Sequence, residues 1–166
     1  YSKFILMSLT ALIVALGLIV LFVAPFVIAM RNSRGKSKKV AEEFAQIAAS
    51  NGINIKDTDS WRLRIIGLDS DSKKLIYIDR DHKNINPQII DISQISSSSI
   101  FKATETQLAA DGSNTQVVNA LGIQIALNDG KNIKLSFYDA AFDNYHEMGE
   151  LTIKAERWLK KINTAK

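Results

Sequence analysis

The sequence predicts an α+β chain in which one transmembrane helix precedes a mostly antiparallel β-barrel, with a short helix before the strands and a capping helix after them. Three observations carry that prediction. Residues Phe4–Met30 run without a charge. From Trp61 the apolar residues recur at alternate positions, and Met148, Leu151, Ala155, Trp158, Leu159 and Ile162 return to helical spacing near the end.

The apolar run is the first element. At about 1.5 Å of rise per residue it exceeds the roughly 30 Å hydrocarbon core of a bilayer. Secretory leaders carry a shorter apolar region of about 7–15 residues and a small-residue cleavage site, and a core helix this long would need more partner surface than one ordinary domain supplies. Residues 1–30 are therefore read as a transmembrane helix, kinked near Pro25. Ala11 and Ala15 form a small-residue pair at which another span could make a helix–helix contact.

Charge follows at once. Arg31, Arg34, Lys36, Lys38 and Lys39 mark residues 31–39 as a basic juxtamembrane linker that meets the membrane surface. By the positive-inside rule they place the chain in an inner (plasma) membrane, N-terminus out and C-terminal domain cytoplasmic. The formal net charge of +4 arises here: six of the 21 Lys and Arg, but none of the 17 Asp and Glu, precede Val40, leaving residues 40–166 at −2. A nucleic-acid partner is not expected, because such binders carry excess positive charge on the folded surface. With no cysteine, the chain has neither disulfides nor thiolate metal sites.

Residues 40–166 read as one domain. Ser37 is positioned to cap a helix from about Lys38 to Ser50, whose Val40, Phe44, Ile47 and Ala48 share a face and pack on the domain behind it. A first strand is expected to run from Trp61 to Gly67, with Trp61, Leu63 and Ile65 inward and Arg62 and Arg64 outward. Asp69–Ser72 turns the chain into Lys73–Asp79. Pro87 opens a third strand through Ile92, and a fourth centres on Ile100–Thr104. After a loop over Glu105–Asn114, a long strand spans Gln116–Leu127, and Asp129-Gly130 supplies a tight hairpin into Asn132–Tyr138. The last helix, Tyr145–Asn163, has Asn144 and Glu147 placed as a capping box.

The GLDSDSKKLIYID hairpin, the PQIIDISQI segment, the NIKLSFYD strand and Trp158 in the closing helix together resemble the pleckstrin-homology-like (PH-like) barrel of small bacterial domains. The resemblance covers roughly Trp61–Asn163. It implies that the last helix plugs one end of the barrel, with Trp158 and Ile162 in the core. It also implies a phosphoinositide site at the first hairpin, where lipid-binding members gather Lys and Arg. Here Asp69 and Asp71 occupy that turn, leaving Arg62, Arg64, Lys73 and Lys74 as the residues that could meet an anionic lipid.

No catalytic motif is present. Asp69, Asp71, Asp79 and Asp81 lack the spacing of a calcium loop, since Lys73 falls at a ligand position. His82, in a loop, and His146, in the first turn of a helix, are read as surface residues, and no cofactor is expected. The functional expectation is a non-enzymatic, membrane-anchored interaction module, an accessory or assembly subunit of a larger inner-membrane complex, whose partners are membrane protein subunits and the bilayer. The alternatives are a membrane-surface sensor of anionic lipid and an enzyme with an unrecognised site.

Overall fold

The computed structural model describes residues 35–82, 86–108 and 112–166. The expected span over Phe4–Met30, its Ala11 and Ala15, and the linker residues Arg31 and Arg34 lie outside the described residues. No helix among the described residues is long and apolar enough to cross a membrane. The expected single-pass membrane chain bearing a barrel is corrected: the described residues form an α+β domain of two helices and two antiparallel sheets.

Helix α1 occupies residues 35–50, so Lys36, Lys38 and Lys39 sit on a helix and not in a linker. It ends where Gly52 adopts φ +63° and the Ile53 amide donates back to the Ala48 carbonyl at 2.9 Å. A left-handed residue at this position satisfies the last helical carbonyls. Strands β1 (Asp57–Trp61), β2 (Arg64–Asp69), β3 (Lys74–Asp79) and β4 (Gln88–Asp91) form one sheet in that order. Strands β5 (Ile95–Leu108), β6 (Asn114–Leu127) and β7 (Asn132–Asp139) form the other, and α2 (Met148–Ala165) closes the chain.

The expected barrel does not close. Asp91 accepts the Ser93 amide and begins a 3-10 turn, Ile92–Gln94, that takes the chain out of the first sheet. Among the described residues, strand β5 then pairs only with β6. The sheets face each other across one apolar core, where Ile66, Leu68, Leu75 and Tyr77 meet Leu121, Ile123, Leu135 and Phe137, with Trp158 and Ile162 of α2 sealing it. Trp158 is 1% exposed, in the core as expected, although there is no closed barrel for it to plug.

A second core lies on the opposite face of the first sheet. There Val40, Phe44 and Ala48 of α1 cover Ile65, Ile76 and Ile78. Gly67 makes this approach feasible, since a β-carbon on it would fall 2.5 Å from the Phe44 ring. Both faces of β2 and β3 are therefore dry.

The expected first strand is also corrected. It is two strands, β1 and β2, joined at Arg62-Leu63, with Trp61 paired to Arg64 and Arg62 at φ +50°. Side chains alternate along a strand, so the position of the turn decides which parity faces inward. Arg64, Ile66 and Leu68 point to the inter-sheet core, and Ile65 and Gly67 point to α1.

Candidate functional site

Register places a charge at the rim of the core. Arg64 shares the inward parity of Ile66 and pairs across β2–β3 with Asp79, and the side chains of both are fully buried. An ion taken out of water must be matched by opposite charge and hydrogen bonds. Arg64 Nη1 donates to Asp143 Oδ2 at 2.7 Å and approaches the Phe137 carbonyl at 3.4 Å, while Nε lies 3.4 Å from Asp79 Oδ2. Burial opposes its charge, but Asp143 and Asp79 outweigh burial and raise its pKa.

Three further segments converge there. Asp81, in the loop after β3, lies 3.4 Å from both Arg64 and Arg62; Asp143, in the turn before α2, lies 3.3 Å from Arg62. Arg64 Nη2, Asp81 Oδ2 and Asp143 Oδ1 are buried without hydrogen bonds, held by charge alone. Asp143 Oδ2 also accepts the Asp139 amide at 2.8 Å, fixing the end of β7. Tyr77 donates to the Ser136 carbonyl at 2.6 Å, and Trp61 Nε1 to that of Phe137 at 3.0 Å. Side chains of the first sheet thus cap carbonyls of β7.

His82 completes the cluster. Its Nδ1 is 2.8 Å from Asp79 Oδ2 and its Nε2 is 3.0 Å from Asp139 Oδ2, with the ring edge-on to Phe142 at 4.8 Å. With both nitrogens taken, the ring has none left for proton transfer to a substrate. Among the described residues no group of three His, Cys, Asp or Glu is placed to hold a metal ion.

Of the sequence-predicted cations, Arg62 and Arg64 share one aspartate cluster, and Lys38, Lys73 and Lys74 each have a partner within the chain. Arg64 is inside the protein, so the outward face expected for it is corrected, whereas Arg62 is exposed as expected, with its guanidinium shared between Asp81 and Asp143. Lys74 pairs with Asp91 at 2.7 Å, and Lys73 donates to the Lys166 carbonyl at 2.8 Å. Lys38 is 3.8 Å from Glu42. Asp69, read as a repulsive turn residue, is a buried turn cap: its carboxylate accepts the Ser72 hydroxyl and the Asn54, Ser72 and Asp71 amides, which lower its pKa to about 2. Tyr77 and Tyr138 are core residues, whereas Tyr145 is 65% exposed.

The least covered structure is the β5–β6 hairpin. Strand β7 pairs with β6 only over Ala120–Ala126, yet β5 and β6 stay paired as far as Leu108 and Asn114. A shift between Ala103 and Thr104, where Asn119 on β6 is the extra residue, marks the start of the projecting part. Residues 104–108 and 114–116 are all exposed, and Leu108 is 74% exposed. Sequence alternation missed this because Thr104–Leu108 presents no apolar face. Its β-branched Thr104 and Thr106 were the available signal.

No protein-family model, curated protein or solved structure matches this chain.

Proposed function

We propose that residues 35–166 act as a non-enzymatic interaction module, an accessory or assembly subunit of a larger protein complex. The projecting β5–β6 ribbon carries this reading. An isolated two-stranded hairpin is marginally stable in water, and the outer edge of β5 has no strand beside it among the described residues. Such an edge offers main-chain hydrogen bonds to a partner segment. The order of four strands, three strands and a closing helix supports the pleckstrin-homology resemblance as part of the proposal, although the sheets remain open. Anionic-lipid recognition is less well supported, since Arg64 is buried and Arg62, Lys73 and Lys74 are engaged within the chain.

The test compares the tagged full chain with a variant in which residues 105–117 are replaced by an Asn-Gly turn. The reading expects stoichiometric protein subunits to co-purify with the first and to be lost from the second, with an unchanged thermal midpoint. A full chain that sizes as a monomer, or a trimmed variant that keeps the same subunits, overturns it.

A further inference from the structure

The environment of His82 has a chemical requirement that the rest of the arginine–aspartate cluster does not share. Both imidazole nitrogens face carboxylate oxygens, at 2.8 Å and 3.0 Å. An ionised carboxylate only accepts, and a neutral imidazole has a single N–H, so both contacts are hydrogen bonds only when the ring is doubly protonated. The two carboxylates come from different sheets. Asp79 ends β3 and Asp139 ends β7.

We propose that His82 is a pH-sensitive latch between the two sheets, closed when the imidazolium bridges Asp79 and Asp139 and released when the ring loses a proton. The surrounding charges favour the closed form. From β3 and its following loop come Asp79 and Asp81, and from β7 and the turn before α2 come Asp139 and Asp143. Against these four carboxylates, the β1–β2 turn and β2 bring only Arg62 and Arg64. Tyr77 adds a neutral hydroxyl 3.3 Å from Asp79, and Arg80, bonded to Glu43 of α1, also acts on Asp79 through its charge. The four carboxylates also accommodate the imidazolium of His82, which contacts two of them directly.

Partial burial opposes the imidazolium, but Asp79 and then Asp139 outweigh that cost and raise its pKa above the ordinary value. The contribution to stability is therefore complete below the unfolded-state pKa of about 6.5 and is lost as pH rises through the higher folded-state value. The same change leaves the backbone anchor on each carboxylate in place. Asp79 Oδ1 also accepts the Asp81 and His82 amides, and Asp139 Oδ1 the Ala141 amide, so ring release leaves each loop capped locally but no longer joined through the ring.

The experiment is nitrogen-15 NMR of the His82 ring in the full chain, titrated from about pH 5.5 to 9, with the amides of His82 and Ala141 followed in parallel. The latch expects both ring nitrogens to be protonated at about pH 6.5, and the two amides to shift together with the ring as pH rises. In Asp139→Asn, a less buried partner at 21% exposure, the ring should titrate at lower pH. In His82→Gln the coupled amide shifts should vanish while the fold persists. A His82 ring neutral at pH 6.5 in the folded protein, or coupled shifts that survive in His82→Gln, overturns the proposal.

Discussion

On the outer face of β2 and β3, Ile65, Gly67, Ile76 and Ile78 meet Val40, Phe44 and Ala48 of α1. On the inner face, the same two strands carry Ile66, Leu68, Leu75 and Tyr77, then end in Arg64 and Asp79. The outer contact rests mainly on volume and apolar area, which no proton changes, with a single ion pair, Arg80–Glu43, at its edge among the described residues. The inner rim rests on the presence of every charged partner. Equal dryness thus conceals unequal vulnerability: removing atoms outside leaves a cavity, while removing one charge inside leaves its partners buried and unmatched.

The widest separation between the two faces is expected from Arg64→Ala. It would strand Asp79, Asp81 and Asp143 around a vacated volume and cost about 3–5 kcal/mol, or prevent folding at ambient temperature. Arg64→Lys sharpens the point. It retains the charge but loses the planar fork that reaches Asp79, Asp81 and Asp143 together, so its urea midpoint should fall between those of wild type and Arg64→Ala. A midpoint for Arg64→Ala equal to wild type would mean that the cluster does not support the fold.

On the apolar face, Phe44→Ala should cost about 3 kcal/mol, at the lower end for a buried phenylalanine because the ring lies at the rim of an open groove of about 580 Å³. Gly67→Ala tests the same contact from the strand side. Its methyl group would meet the tip of the Phe44 ring at 2.5 Å and Ile55 at 3.1 Å, and the overpacking should cost about 1–3 kcal/mol. The two changes share the Phe44 contact and should not fully add. A double variant no less stable than Phe44→Ala alone would place the Gly67 effect in that ring contact.

These residues also show what the sequence made legible. The stripe ending in Trp158 and Ile162, the apolar face of α1 and the hairpin at Asp129-Gly130 were readable because each repeats a spacing or a turn signal over several residues. Arg64 was not. A two-residue turn at Arg62-Leu63 reverses the assignment of faces, and neither residue is a usual turn former, so alternation read through the turn put the cluster's central residue in solvent. His82 was missed for another reason: Asp79 is three positions away, but Asp139 is 57 positions away and is brought near only by the facing of two sheets. The projecting ribbon gave no apolar pattern to read.

The smallest expected effect comes from the charged side of α1. Lys38 and Glu42 stand one turn apart at 3.8 Å, with side chains 79% and 64% exposed. Such a pair works in high dielectric and is screened by salt. Lysine preceding glutamate is also the weaker orientation along a helix. Lys38→Ala should therefore change stability by no more than about 0.5 kcal/mol, with little difference between low and moderate salt. If the measured loss instead exceeded about 1 kcal/mol and shrank with salt, α1 would owe more to charge than its Arg80–Glu43 pair supplies. The contrast between an apolar outer face and a charged inner rim would then fail at its simpler end.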